Sequence, residues 1–343
     1  MSLLIVFGTR PEYLKIKPLV EELTSRKLEH YILFTSQHKD IVPSDFPVSI
    51  KLPEPSGGIN RLNSLLANTI FNISEVLSSN PHIKYMLVQG DTTSALAGAL
   101  SAMNSKVNVI HLEAGLRTYD WENPYPEEYN RVLISHVTKI HLCPTEKNKK
   151  NLIKEELGGN KYVVGNTILD SLVKYLPDVE YNNQILVTLH RRENHENINV
   201  WFREINRLAK IYEDYEFILP LHPNPNVQKH KDILTNVKVI PPLEHSEFIK
   251  LLVKCRMVIS DSGGIQEECS FFKKKVIVCR KITERPESIG TTSIMCPDPE
   301  KLVSLFTLNN YDTDMSQHSC PYGDGTSSKQ IVDILVREVY IVQ

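Results

Sequence analysis

Short apolar runs alternate along the chain with stretches in which apolar residues recur every three or four positions. Many of these runs are continuous, which is typical of strands buried on both faces of a parallel sheet. The predicted strands are "LLIVF", "YILFT", "YMLVQ", "NVIHL", "KIHLC", "YVVG", "QILVTL", "EFILPL", "VKVI", "RMVIS" and "KVIVC". The helical patterns include "PEYLKIKPLVEELTS", "SALAGALSAM" and "HSEFIKLLVKC". This order predicts repeated β–α units and therefore a doubly wound α/β fold.

The β–α series runs twice, with a seam near "TILDSLVKYLPDVEYNNQ". We therefore predict two Rossmann-like domains, residues 1–170 and 171–326, that face each other across a cleft. The length of 343 residues agrees with this division, because a domain usually holds roughly 100–200 residues. Open α/β sheets bind their ligands beyond the carboxyl ends of the strands. The residues that follow each predicted strand are therefore the candidates for a functional site.

The chain carries a formal net charge of −2, with 41% hydrophobic and 23% charged residues. This balance argues against a broad basic surface for nucleic acid or anionic lipid. The sequence contains no apolar run of about 18 residues that could span a membrane, and its first residues lack the pattern of a secretory signal. Six cysteines are scattered without CxxC pairs, which indicates reduced and mostly buried thiols. We predict a soluble cytoplasmic protein with no metal site and with neither a membrane nor a nucleic-acid partner.

The segment "GTRPEYLK" follows the first predicted strand. Gly8 permits a tight turn there, and Pro11 suits the first position of a helix. Arg10 is then placed at a helix N-terminus, where its guanidinium and the free backbone N–H groups could hold an anion. The alternative is an ordinary turn with an exposed arginine, and the segment alone does not decide between the two.

Three carboxylates in the first half stand at strand ends or open a helix. Asp91 follows "YMLVQ", but capping of the next helix is a strong alternative here, because the Asp, Thr and Ser of "QGDTTS" are all standard N-caps. Glu113 directly follows "NVIHL", where capping does not explain it, so we predict a functional role. Glu127 opens a helix entered through Pro126 and shares one face with Arg131, four positions later. A favourable interaction with the helix dipole is the alternative for Glu127.

The span "HLEAGLRTYDWENPYPEEYNR" is rich in acids but has no cysteine and no spacing typical of metal ligands. Of its carboxylates we assign chemistry to Glu113 and Glu127. We expect Asp120, Glu122 and Glu128 to be ordinary loop or surface charges.

Strand ends in the second half carry basic side chains. "HRREN" places His190, Arg191 and Arg192 after "QILVTL", and neighbouring cations should lower the pKa of the histidine unless an anion such as phosphate neutralises them. "LPLHPNP" places His222 at another strand end, where a structural turn is the favoured interpretation. Arg285 in "KITERPE" could add positive charge for a diphosphate.

The segment "RMVISDSGGIQEE" combines a strand, two glycines and a helix start. Ser262, Gly263 and Gly264 would let the backbone approach a ligand closely, and a helix beginning at about Ile265 would cradle a phosphate. Glu268 lies four positions after Gly264 on the same face and could accept hydrogen bonds from two ribose hydroxyls. The pattern is neither a Walker loop nor GxGxxG.

These motifs together resemble those of the non-hydrolysing UDP-N-acetylglucosamine 2-epimerases. They occur in family order as "FGTRPE", "QGDTTS", "HLEAGLRT", "PYPEEYNR", "HRREN", "HPNP", "SDSGGIQEE" and "TERPE". The resemblance implies a GT-B-like fold whose last helix, in residues 327–343, packs back on the first domain. It also implies a homodimer that needs no cofactor and interconverts UDP-GlcNAc and UDP-ManNAc by inverting C2.

The resemblance also assigns roles to residues at matching motif positions. It implies that Asp91, Glu113 and Glu127 are catalytic acids and that His190 lies in the active site near the diphosphate. The residues that it places in contact with the UDP-sugar, together with neighbours in the same motifs, are Arg10, Lys15, Arg131, Phe248, Ser262, Gly263, Gly264, Glu268 and Arg285. Gln37 and His222 are candidates for a regulatory or supporting role.

The implied reaction needs acids and bases but no cofactor. Loss of UDP and of the C2 proton gives a 2-acetamidoglucal, and re-addition with protonation on the other face of C2 gives the epimer. This route demands a base, an acid and tight retention of UDP. The residues do not decide which carboxylate is the base and which is the acid.

The chain departs from the family in "TSQHKDIVPSDF", which keeps Gln37 and His38 but has Asp40 where a second glutamine is common. Arg61 matches a family arginine. The departure argues against activation by a second UDP-GlcNAc. It also leaves an alternative substrate open, either a UDP-2-acetamido-2,6-dideoxy-hexose such as UDP-QuiNAc or UDP-RhaNAc, or a uronic acid analogue. The rival classes are a GT-B glycosyltransferase, a hydrolysing epimerase and a silent nucleotide-sugar binding protein.

Overall fold

The computed structural model describes residues 2–38, 46–53, 60–309, 315 and 318–341. The chain divides into two compact units. The N-terminal unit comprises Met1–Ser171 and Gly323–Gln343, and the C-terminal unit comprises Leu172–Tyr322.

The N-terminal unit is built on a parallel sheet of seven strands in the order β3-β2-β1-β4-β5-β6-β7. Its strands are β1 Ser2–Phe7, β2 His30–Phe34, β3 Ile50–Lys51, β4 Ile83–Gln89, β5 Asn108–Leu112, β6 Thr138–Cys143 and β7 Asn160–Val163. Its helices are α1 Arg10–Ser25, α2 Arg61–Ser79, α3 Thr93–Asn104, α4 Glu127–Val137, α5 Glu146–Lys154 and, after the return of the chain, α11 Ser327–Leu335.

The C-terminal unit contains a second parallel sheet, of six strands in the order β10-β9-β8-β11-β12-β13. Its strands are β8 Gln184–Thr188, β9 Glu216–Pro220, β10 Lys238–Ile240, β11 Met257–Ser260, β12 Lys275–Val278 and β13 Ser293–Met295. Its helices are α6 Ile198–Ile211, α7 Pro225–Gln228, α8 His245–Lys254, α9 Gly263–Phe271 and α10 Leu302–Asn309.

Strand β1 shows why its apolar run is continuous. Leu3, Ile5 and Phe7 pack into the cluster that includes α1 and α11, whereas Leu4 and Val6 pack into the cluster on the opposite face. Each successive side chain points to the other face of the strand, so every position must be apolar when helices cover both faces. The predicted doubly wound α/β class is confirmed for each unit.

Both strand orders reverse direction once, between β1 and β4 in the first sheet and between β8 and β11 in the second. Crevices at such switch points are where open α/β sheets bind ligands. The loops that leave these four strands carry "GTRPE", "QGDTTS", "HRREN" and "SDSGG". The topology therefore places four of the motifs at the two switch points.

Helix α11 packs within the N-terminal unit. Its Ile331 and Leu335 share a core cluster with Leu23 of α1. The carboxylate of Asp170 accepts hydrogen bonds from the first two amides of α11, at 3.0 and 2.6 Å. A carboxylate at this end of a helix is favourable because the free N–H groups carry partial positive charge.

Five of the six cysteines are buried, which confirms the prediction of mostly buried thiols. Within the described residues, no helix combines the length and apolar character needed to cross a bilayer.

Candidate active site

Glu113 directly follows β5 at the carboxyl edge of the first sheet, with a backbone φ of 70°. This left-handed conformation is uncommon for a residue other than glycine, and such conformations cluster at functional sites. Its buried carboxylate accepts hydrogen bonds from Lys15 Nζ at 2.6 Å, Gln89 Nε2 at 2.5 Å and Asn166 Nδ2 at 3.2 Å. Groups from α1, from β4 and from the segment after β7 thus converge on one acid, and Lys15 supplies its counter-charge.

Asp91 lies in the loop between β4 and α3, after Gly90. The residue that caps α3 is Thr92, whose hydroxyl accepts a hydrogen bond from Ala95 N at 3.0 Å, so the capping interpretation of Asp91 is wrong. The Asp91 carboxylate instead accepts a hydrogen bond from the buried guanidinium of Arg131 at 2.5 Å. This ion pair joins the start of α3 to α4.

Glu128 is not the surface charge that the sequence suggested, because it is only 1% exposed. Its carboxylate accepts hydrogen bonds from Thr118 N at 3.0 Å and Tyr119 N at 2.9 Å, and it lies 3.0 Å from Arg131. The inward face of α4 carries Glu128, which ties the loop after β5 to this helix. Glu122, in contrast, is exposed as predicted.

The other predicted acid and arginine of this unit open helices. Glu127 is the first residue of α4 and is half-buried. Arg10 is the first residue of α1 and Thr9 is its capping residue, so Pro11 is the second residue of the helix, whereas the sequence suggested the first. Both helices begin at the carboxyl edge of the sheet, on the same edge as Glu113.

Gln37 follows β2, and its side-chain oxygen accepts hydrogen bonds from Ser94 N at 3.2 Å and Ser94 Oγ at 2.7 Å. Burial lowers the pKa of His38, and the charge of Arg61 lowers it further. The regulatory role of Gln37 stays a prediction. The departure at Asp40 lies outside the described residues.

His190 follows β8 beside the fully buried Asp261, which follows β11. The Asp261 carboxylate accepts hydrogen bonds from His190 N at 3.0 Å and Arg191 N at 2.8 Å, and it lies 3.5 Å from His190 Nδ1. Burial lowers the pKa of His190, Asp261 raises it, and Arg191 lowers it. The predicted direction is confirmed, although burial outweighs the arginine. His222 makes the expected turn through Asn224 N, and its ring also stacks on His190 with the centroids 5.2 Å apart.

The two glycines of "SDSGG" serve different purposes. Helix α9 begins at Gly263, two positions earlier than predicted, and its N-cap Ser262 makes no side-chain capping bond within the described part of the chain. A side chain at Gly263 would meet Arg285 at 2.5 Å and Glu284 at 2.7 Å, whereas one at Gly264 would enter open space. Gly263 therefore makes room for an internal ion pair, and Gly264 leaves the start of α9 accessible to a ligand.

Glu268 is buried one turn into α9, and its carboxylate lies 3.1 Å from His245 Nε2. His245 is the first residue of α8, and the half-buried Phe248 lies one turn further along that helix. The sequence prediction for Glu268 did not include this histidine.

Arg285 is buried and forms ion pairs with Glu267, at 2.7 Å, and with Glu284. Glu284 is shared with Arg280, 2.9 Å away. The charge of Arg285 is therefore balanced within the unit, and its contact with a diphosphate stays a prediction. Across the described ranges, no group of three or more His, Cys, Asp and Glu side chains is arranged to hold a metal ion.

Glu12 belongs to the same region but was not singled out from the sequence. It is 1% exposed, and its carboxylate accepts hydrogen bonds from Gly8 N at 3.0 Å, Thr9 N at 2.7 Å and Thr92 Oγ1 at 2.7 Å. Burial raises the pKa of Glu12 to about 7, although these hydrogen bonds lower it. The capping-box pattern of Thr9 followed three residues later by Glu12 is the sequence signal that could have identified it.

Two doubly wound parallel sheets, each with sequence motifs in the loops at its switch point, define a GT-B-like protein. The crystal structure of UDP-GlcNAc 2-epimerase from Neisseria meningitidis bound to UDP-GlcNAc matches with a TM-score of 0.88 at 35% identity, over 98% of this chain and 100% of that chain. The Methanocaldococcus jannaschii UDP-GlcNAc 2-epimerase in complex with UDP-GlcNAc and UDP matches with a TM-score of 0.83 at 30% identity, over 98% and 100% of the two chains.

The sequence comparisons give the family. The model of the UDP-N-acetylglucosamine 2-epimerase family matches residues 21–336. A UDP-N-acetylglucosamine 2-epimerase from Neisseria meningitidis serogroup A is 37% identical, over 98% of this chain and 100% of the relative. The chain belongs to the UDP-N-acetylglucosamine 2-epimerase family, which confirms the predicted family and its class, the isomerases.

Proposed function

We propose that this protein interconverts UDP-GlcNAc and UDP-ManNAc by inverting C2, without hydrolysis. The observation that carries the proposal is the Glu113 carboxylate at the end of β5, held by Lys15, Gln89 and Asn166. A buried acid with fixed orientation and an adjacent cation suits proton transfer at a sugar carbon. The substrate follows from the relatives, which are named for UDP-GlcNAc and include a structure bound to it, and this favours UDP-GlcNAc over the 6-deoxy and uronic acid alternatives.

The reaction balances without a cofactor. A base removes the proton from C2 while the bond between C1 and the diphosphate oxygen breaks, so that UDP leaves with the bonding electrons and a 2-acetamidoglucal remains. The UDP oxygen then adds back to C1 as an acid delivers a proton to the opposite face of C2. Asp91, Glu113 and Glu127 are the carboxylates that we propose for these proton transfers, and Arg131 orients the Asp91 carboxylate through their ion pair.

We propose that the C-terminal unit binds the UDP moiety. The first amides of α9 are aligned at its N-terminus, where no side chain at Gly264 obstructs a phosphate. His190 stands at the neighbouring strand end, and Glu268 in α9 suits the ribose hydroxyls. Arg10, Lys15 and Arg131 of the N-terminal unit, together with Phe248, Ser262, Gly263 and Arg285 of the C-terminal unit, complete the proposed contacts. We propose two functional domains. The first comprises residues 1–170 and the helix in residues 327–343, and the second comprises residues 171–326.

We also propose a cytoplasmic homodimer. Reduced, buried thiols agree with a cytoplasmic location. Exposed apolar side chains on α4 and the loop before it agree with self-association, and among them are Trp121, Tyr125, Tyr129 and Leu133. Light scattering of the purified protein would test the dimer, and a monomer at micromolar concentration would contradict it.

The matched variants Glu113→Gln and Glu122→Gln test the proposal. Both change one acid of the same span to its amide, but Glu113 is buried among its donors and Glu122 is exposed. We expect Glu113→Gln to lose at least about 100-fold in UDP-ManNAc formation, because removing a general acid or base costs about 10²–10⁴-fold. It should still bind UDP, and Glu122→Gln should keep wild-type turnover. Full activity of Glu113→Gln would refute its assignment.

A further inference from the structure

The buried carboxylate of Glu12 connects two loops that leave neighbouring strands. One oxygen accepts hydrogen bonds from Gly8 N and Thr9 N in the loop between β1 and α1. The other oxygen accepts a hydrogen bond from Thr92 Oγ1 in the loop between β4 and α3, at 2.7 Å. A capping box needs only the contact within its own helix, so the bond to Thr92 is additional to the cap.

Thr92 is fixed from two sides by its hydroxyl. Its Oγ1 donates to Glu12 and accepts from Ala95 N at 3.0 Å, as the cap of α3. The preceding residue is Asp91, whose carboxylate meets Arg131 at 2.5 Å. The position of the Asp91 backbone therefore depends on the Thr92 hydroxyl, which is hydrogen-bonded to Glu12.

The two loops also approach each other closely at Gly8. A side chain there would lie 2.2 Å from Thr35 Oγ1 and 2.3 Å from Ser94 Oγ. Ser94 lies in the first turn of α3, two residues after Thr92. Only a glycine permits this approach, and Glu12 holds the Gly8 amide beside it. The contact thus aligns the start of α1, which carries Arg10, with the start of α3.

We propose that Glu12 is a positioning residue for the epimerisation, which holds the loop of Asp91 against the loop of Arg10 through Thr92. This inference rests on the proposed function of the same site. Glutamine could satisfy the same donors without a buried charge: its oxygen could accept from the Gly8 and Thr9 amides, and its nitrogen could donate to Thr92. Burial raises the pKa of Glu12 to about 7, so the ionised carboxylate destabilises the fold relative to the protonated acid.

The test uses Glu12→Leu, which removes the hydrogen bonds at similar side-chain volume, together with Thr92→Val, the double variant and Thr92→Ser, assayed for kcat and KM with UDP-GlcNAc. We expect Glu12→Leu and Thr92→Val each to lower kcat about 10- to 100-fold, since a misplacement of about 1 Å can cost about 10² in rate. KM should change by a smaller factor than kcat, because most of the UDP contacts that we propose lie in the C-terminal unit and are untouched. The double variant should be no slower than the slower single variant, and Thr92→Ser, which keeps the hydroxyl, should recover most of the loss.

Leu23→Ala is the matched control for stability. Leu23 is fully buried near the end of α1, so its truncation destabilises the same helix far from the loops. It should lower the melting temperature and leave kcat unchanged at temperatures where the variant is folded. Wild-type kcat in Glu12→Leu, or multiplicative losses in the double variant, would overturn the inference.

Amide hydrogen exchange separates this inference from the proposed function. In Glu12→Leu, exchange should quicken both in residues 8–12 and in residues 90–95, because both loops lose a common partner. Unchanged exchange in residues 90–95 would overturn the bridge, whatever the substrate. Conversely, faster exchange in both loops together with a wild-type protein that does not turn over UDP-GlcNAc would refute the proposed function and retain the bridge.

Discussion

The cost of burying Glu12 can be measured as a pH dependence of stability. Its pKa is about 7 in the folded protein against an ordinary value of 4.5. Folding therefore favours the protonated acid, so its contribution to stability is fully present below pH 4.5 and is lost as the pH rises to about 7. The two pKa values differ by about 2.5, which corresponds to about 3 kcal/mol at about 1.4 kcal/mol per pKa unit.

The variant Glu12→Gln removes this dependence, because an amide does not ionise. We expect the free energy of unfolding of the variant, relative to the wild type, to rise by about 3 kcal/mol between pH 4 and pH 8. Urea denaturation followed by circular dichroism at several pH values would measure the difference, with Leu23→Ala as a variant whose difference should not change with pH. A difference between Glu12→Gln and wild type that is constant from pH 4 to pH 8 would refute the reasoning.

Three further predictions concern other side chains. Burial lowers the pKa of His111 to about 4, so its neutral form stabilises the fold above pH 6.5 and that contribution is lost as the pH falls towards 4. Between pH 6.5 and pH 4, the free energy of unfolding of His111→Asn should therefore fall less than that of the wild type, each compared with its own value at pH 7. An equal fall in both proteins would contradict this. His245→Ala should weaken UDP binding several-fold in calorimetry by releasing Glu268, and unchanged affinity would contradict that contact. Glu128→Ala should lower the free energy of unfolding by about 1–3 kcal/mol, because it strands buried amides, whereas Glu122→Ala should have little effect; equal effects would contradict the difference in burial.

Most of the fold could be predicted from the sequence because buried parallel strands have a strong signal. Strand β5 matches the predicted run "NVIHL", and the position of Glu113 at its end follows directly. The short strands β3 and β13 were missed. They have two and three residues, which is too few for a pattern of hydrophobicity to appear.

The environment of the acids was harder to predict than their positions. Glu127 and Glu128 are adjacent in sequence, and either could favour the helix dipole. Burial of Glu128 depends on the amides of Thr118 and Tyr119, ten and nine residues away, whose direction is set by the loop and not by a local pattern. His245 meets Glu268 across 23 positions of sequence for the same reason. Such contacts arise from tertiary packing, which periodicity does not report.

The central claim is tested most directly by incubating the wild-type protein with UDP-GlcNAc in D2O and following the sugar by NMR. The account predicts that UDP-ManNAc appears and that deuterium enters C2 of both epimers, with no accumulation of free UDP. Release of UDP with free ManNAc, or UDP-ManNAc formed without deuterium at C2, would contradict it.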